Sequence, residues 1–119
     1  MNMQIQILQC KIHRAIVTNS ELSYEGSIFI DKNILAEVGI LKYQKVEIYN
    51  INNGERFSTY AVPVEIEGEF CINGAAARKV QKGDRIIVCT YANTTIENAK
   101  NYEPKVLLIQ DANLNYIIK

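Results

Sequence analysis

Tryptophan is absent from the 119-residue chain; proline occurs twice, at Pro63 and Pro104, and histidine once, at His13. One histidine cannot build a multi-imidazole metal centre. Cys10, Cys71 and Cys89 lie far apart and outside any metal-like spacing, so no metal site is expected. They read as small buried hydrophobes of a reducing compartment. With so little proline and no low-complexity tract there is no evident linker, and residues 1–119 read as a single domain. Neither sign of charge prevails, since 13 Lys+Arg face 13 Asp+Glu. That balance removes the electrostatic drive toward nucleic acid or an anionic membrane. No apolar run approaches a membrane span, and Met1-Asn2-Met3-Gln4 is too polar for a signal peptide. The expectation is a soluble cytoplasmic domain without internal repeats.

What the chain does contain is β-branched alternation punctuated by turn residues. Gln4 to Thr18 reads as one long strand. Ile5 and Ile7 fall on the opposite face from Ile12 and Ile16, so a bulge near Leu8-Gln9-Cys10 is expected to keep one face apolar. Thr18-Asn19-Ser20 has turn chemistry. Asp31 is an N-cap for a helix over Lys32 to Val38, and Gly39 sits where a left-handed glycine ends it. Lys45 to Ile51 and Arg56 to Ile66 read as strands of a hairpin around Asn53-Gly54, with Pro63 marking an edge or bulge. Glu67-Gly68 turns, Phe70 to Ile72 is a short strand, and Ala75 to Lys79 a helical turn. Gln81 to Asp84 is a loop before a central strand, Arg85 to Tyr91. Thr94-x-x-Glu97 has the spacing of a capping box for another short helix. Lys105 to Gln110 closes the sheet, and the chain from Asn113 onward reads as a peripheral tail. Many short strands with turns between them specify a mainly-β fold, a small barrel with short helices.

The chemistry centres on Tyr24-Glu25-Gly26-Ser27. A serine hydroxyl directly after glycine can attack the carbonyl of its own upstream peptide, and glycine places no Cβ beside that carbonyl. An N→O acyl shift would convert the amide to an ester. β-Elimination and hydrolysis would then leave a pyruvoyl group at a new N-terminus. Taken alone, a Gly-Ser pair also fits an ordinary turn.

Around that pair stand Lys11-Ile12-His13-Arg14, Asn53-Gly54-Glu55-Arg56-Phe57-Ser58-Thr59-Tyr60 and Asn73-Gly74-Ala75-Ala76-Ala77. In this order and spacing, from about Lys11 to the strand after Gly83-Asp84, the chain resembles the aspartate 1-decarboxylase family of pyruvoyl-dependent enzymes. The resemblance implies a six-stranded double-psi β-barrel. It also implies self-cleavage into a β chain, residues 1–26, and an α chain, residues 27–119, with the pyruvoyl derived from Ser27 as covalent cofactor in place of pyridoxal phosphate or metal. The implied reaction decarboxylates L-aspartate to β-alanine through a Schiff base to that group, for pantothenate and coenzyme A synthesis. The implied assembly is a homotetramer with active sites between subunits, matured in some members by an accessory protein.

Residue by residue, Gly26 and Ser27 flank the cleavage. Thr59 would stabilise the oxyanion of that step, a preorganised donor role, and would also contact the substrate. Arg56, with its planar fork, and Lys11, a point charge, suit the two substrate carboxylates. Tyr60 would protonate Cα after carbon dioxide leaves. Asn73 and the backbone of Gly74, Ala75 and Ala76 would line the pocket, their small side chains letting main chain approach a ligand. His13 could orient a neighbour or titrate near neutrality. Tyr24 would shape the cleavage loop, Ile87 would touch the pocket or the core, and Tyr49 provides an aromatic wall where family members often carry tryptophan. Two other readings share the pattern: a non-enzymatic β-barrel binding module using Arg56 and Lys11, and a decarboxylase of another acidic amino acid.

Overall fold

A computed structural model describes residues 3–119. Its longest strand, β1 (Gln4–Ile16), shifts register between Leu8 and Cys10, where the switch of apolar face required a bulge. A second shift, not anticipated, falls between His13 and Ala15, with Arg14 in the left-handed region at φ 71°. Strict alternation would send Ile12 and Ala15 to opposite faces; the extra residue lets both bury completely.

The segment expected to turn at Thr18-Asn19-Ser20 instead enters a short strand, β2 (Asn19–Glu21), parallel to β6 (Phe70–Asn73). Thr18 explains the change. Its hydroxyl accepts from the Phe70 N–H at 2.9 Å and donates to the Glu69 carboxylate, so turn-prone residues are held against a neighbouring strand.

β3 (Ser27–Asp31) lies between β6, antiparallel, and β5 (Arg56–Val64), parallel. Asp31 ends β3 and caps α1 (Lys32–Val38), accepting from the Asn33 N–H at 2.9 Å, while Gly39 closes the helix at φ 83°. Both caps fall where expected. β4 (Lys45–Asn50) pairs with β5 up to Tyr60, so Pro63 sits beyond that pairing with only β3 beside it, where its missing N–H costs no bond. β5 stops at Val64 rather than Ile66, because its partner β3 ends at Asp31.

A 3₁₀ helix, Gly74–Lys79, follows β6. β7 (Arg85–Thr95) runs four residues past the expected end at Tyr91, paired with β1 out to Gln4↔Thr95. That extension moves the cap of α2 (Ile96–Asn101): Thr94 is taken by the ladder, and Thr95 accepts from the Asn98 N–H at 3.2 Å. β8 (Lys105–Ile109) runs parallel to β1, and β9 (Tyr116–Ile118) pairs with β8. The expected tail is peripheral in the ladder but not detached. Asn113 is buried, accepts from the Ile16 N–H and donates to the carbonyls of Ile16 and Gly68, each at 2.8 Å.

The order β2-β6-β3-β5-β4-β7-β1-β8-β9 makes one nine-stranded ladder, more than a six-stranded barrel core needs, with three-residue strands at both ends. The fold is mainly β with short helices, as the sequence implied. Ile12, Ile28, Ile30, Ile48, Ile72, Ile86, Val88 and Leu107 pack with Phe70 in one core. Cys10, Cys71 and Cys89 are free thiols, all buried.

Candidate active site

Ser27 opens β3 directly opposite Asn73, the last residue of β6, and both are buried. The Asn73 side chain donates from Nδ2 to Ser27 Oγ at 3.1 Å, and its Oδ1 accepts from Cys71 Sγ at 3.2 Å. The thiol therefore sets which end of the amide faces Ser27. Burial, then the negative charges of Glu69 and Glu21, push Cys71 up to about 11, so it remains a protonated donor at neutral pH.

Gly74 sits at φ 73°, and a Cβ there would lie 2.7 Å from both Cα and N of Gly26 and 3.1 Å from the Tyr24 carbonyl oxygen. Only glycine lets the 3₁₀ helix start against the Tyr24–Ser27 segment. A Cβ on Gly26 itself would meet nothing within 4 Å. The steric demand for glycine thus falls at position 74 rather than at the bond the sequence singled out.

Ser27 lies on the wall of a cavity of about 420 Å³, with Tyr24, Glu25, Phe29, Lys42, Tyr43, Tyr60 and Val62. Tyr60 is steadied edge-on by Tyr43, ring centroids 6.1 Å apart, and Tyr24 lies 6.3 Å from Phe29. Thr59 is half-buried on the opposite face of β5 from Tyr60. β3 and β5 run parallel from Ile28↔Ala61; one step back along that register brings Ser27 level with Tyr60, and a second step brings Gly26, just before β3, level with Thr59.

A second group lies on the outer face of the sheet. Residues directly opposed in an antiparallel ladder share a face, and His13↔Ile87, Ile87↔Tyr49 and Tyr49↔Arg56 form one row across β1, β7, β4 and β5. Lys11↔Cys89↔Glu47 begins the next row. The Arg56 guanidinium lies 4.1 Å above the Tyr49 ring, and the Tyr49 and Tyr91 hydroxyls share a hydrogen bond of 2.7 Å. Among the described residues neither Arg56 nor Lys11 has an ion-pair partner. Both cations therefore keep donors for an anion. Burial first, then the charges of Lys11, Arg14 and Lys119, hold His13 below its ordinary value of 6.5, and its Nδ1 is buried without a partner. The neutral form of His13 is thus favoured over the charged one.

The structure accordingly brings Tyr24, Gly26, Ser27, Tyr60, Asn73 and Gly74 together, and groups Lys11, His13, Tyr49, Arg56 and Ile87 elsewhere. Ala75 is exposed and Ala76 half-buried against the core, in the 3₁₀ helix beyond Gly74. Arg56 and Tyr60 point from the same face of β5, four residues or about 13 Å apart. Sequence reasoning missed Lys42, Tyr43 and Glu25 at the cavity, Cys71 behind Asn73, and Tyr91 beside Tyr49. Of these only Tyr91 had a legible signal, since it shares the parity of Ile87 and Cys89 along β7.

The profile of the family described as aspartate decarboxylase matches residues 3–116. The chain belongs to that family. The aspartate 1-decarboxylase of Ralstonia nicotianae is 48% identical over 112 residues, 93% of each chain. That of Campylobacter fetus is 50% identical over 111 residues, 93% of this chain and 96% of its own. That of Campylobacter jejuni is 48% identical over 111 residues, 93% and 88%. Family membership makes this chain a decarboxylase and sets aside the non-enzymatic binding module. Among the described residues no helix is long and apolar enough to cross a membrane, and no cluster of three or more potential metal ligands occurs.

Proposed function

We propose that this chain is a self-cleaving aspartate 1-decarboxylase that converts L-aspartate to β-alanine and carbon dioxide. The observation that carries the proposal is the buried Ser27 hydroxyl, held by Asn73 at the wall of a cavity directly after Gly26. In the first step Ser27 Oγ attacks the Gly26 carbonyl carbon. The Gly26–Ser27 C–N bond breaks, the Ser27 nitrogen takes the hydroxyl proton, and an ester results. Thr59, reached by continuing the β3–β5 register, is the donor for the transient oxyanion on Gly26. Loss of the Ser27 α-proton expels the Gly26 carboxylate, and water then replaces the nitrogen, which leaves as ammonia. The residues present fit this group: an immobilised hydroxyl, a glycine-lined approach at Gly74, and a phenol on the adjoining strand.

The pyruvoyl group, once formed, supplies a carbonyl for the substrate amine and a sink for the electrons left by carbon dioxide. Everything else falls to side chains. Arg56 takes one substrate carboxylate bidentately and Lys11 the other; Tyr60 returns a proton to Cα; Asn73, with Gly74, Ala75 and Ala76, bounds the pocket. Because Arg56 and Lys11 lie apart from the Ser27 cavity, the complete site is assigned to the junction of two copies in a homotetramer. Exposed Tyr43 on the cavity wall, 65% accessible, and Leu41 two residues before it, 72% accessible, support a contact there. A maturation protein as a further partner, a cytoplasmic location, and use of the product for pantothenate and coenzyme A complete the reading.

Turnover of L-aspartate and L-glutamate by the matured protein, with Ser27→Ala as control, tests the substrate. Release of carbon dioxide from aspartate alone, lost in the variant, is expected. Preference for glutamate would overturn the assignment.

A further inference from the structure

We infer that Tyr91 is a positioning residue for substrate binding: its hydroxyl fixes the Tyr49 ring, and that ring fixes the Arg56 guanidinium. The inference rests on the carboxylate-binding role proposed for Arg56. Arg56 is exposed near the start of a strand, and an exposed arginine spreads over many rotamers unless something narrows them. Among the described residues its cation–π partner is the Tyr49 ring, whose centroid lies 4.1 Å from the guanidinium carbon, and with no ion-pair partner its N–H groups remain available for a carboxylate.

Tyr49 is held in turn. Its strand neighbour on β7 is Ile87, which cannot bond a phenol, so the ring's outer end is fixed by the Tyr91 hydroxyl at 2.7 Å. Two strands thereby brace one cation: β7 through Tyr91, β4 through Tyr49. Hydrogen bonding with Tyr49, then burial, raises the Tyr91 phenol well above its ordinary range, so the Tyr91 hydroxyl keeps its proton at neutral pH.

The test is a double-mutant cycle on the matured enzyme: Tyr49→Phe, Tyr91→Phe and the pair, with Arg56→Ala alongside. All keep the aromatic packing except the last, so melting temperatures report any loss of fold. Tyr91→Phe is expected to raise KM for L-aspartate about fivefold, the factor carried by one neutral hydrogen bond of about 1 kcal/mol, with kcat within twofold. Tyr49→Phe should raise KM similarly, and the double variant no further than either single, because both remove the same bond. A wild-type KM in Tyr91→Phe beside a raised KM in Arg56→Ala would overturn the positioning role while leaving Arg56 as carboxylate receiver. Additive effects of the two tyrosines would also overturn it. A wild-type KM in Arg56→Ala would remove the carboxylate role and this inference together.

Discussion

Asn73 has no freedom to spare: one end of its amide holds Ser27 Oγ, the other accepts from Cys71, and all three side chains are buried. Asn73→Ala removes the donor and leaves the Ser27 hydroxyl unanchored, so self-cleavage should slow by about tenfold or more, read as the fraction of cut chain against time. Gly74→Ala acts on the same bond by steric means. Its Cβ would sit 2.7 Å from the Gly26 backbone at a φ of 73°, costing roughly 1–2 kcal/mol for the left-handed alanine alone, so both melting temperature and cleavage rate should fall. His13 gives a pH signature. Its folded-state value lies below 6.5, so the unfolded chain binds the proton more readily. The stability contributed by neutral His13 is full above 6.5 and is lost as pH falls through the lowered folded value. His13→Gln should flatten that part of the unfolding-versus-pH curve. That Ser27, Asn73 and Gly74 lie close together was legible from the order of the motifs; the individual contacts they make were not. Cys71 was not legible, because what a thiol touches depends on strand register, and for Tyr91 the parity along β7 gave the face but not its Tyr49 partner.

At the scale of elements, local chemistry was read well wherever the partner lies within a few residues. Asp31 and Gly39 bound α1 as expected, and the apolar switch in β1 located its first bulge. Reading failed where a distant strand decides. Thr18 joins β6 rather than turning, and Thr95 replaces Thr94 as a cap because β1 extends the ladder to it. Asn113 is the clearest case. Nothing near it in sequence marks it, yet it joins the end of β1 to the Gly68 turn through three hydrogen bonds. Asn113→Ala strands the Ile16 N–H and two carbonyls, and should destabilise the fold by about 2–3 kcal/mol, measured by chemical denaturation.

For the whole molecule, the consequence of the topology is that one sheet carries both halves of the proposed chemistry without joining them. β5 holds Arg56 at its first position and Tyr60, which lines the cavity with Ser27, at its middle. The proposed junction of two copies makes a direct prediction. Ser27→Ala is expected to be inactive and Arg56→Ala to turn over poorly for want of substrate affinity, but co-expressed chains should recover part of the wild-type activity, since mixed assemblies contain sites with Ser27 from one copy and Arg56 from another. No recovery would put both residues in one subunit's site. All of this rests on cleavage at one peptide bond, and the intact mass of the purified protein under denaturing conditions reports it most directly. The account predicts two pieces, Met1 to Gly26 and Ser27 to Lys119, with the larger one ammonia lighter than a serine-terminated chain. A single uncut chain that persists after prolonged warming and after incubation with lysate of the source cell would contradict it.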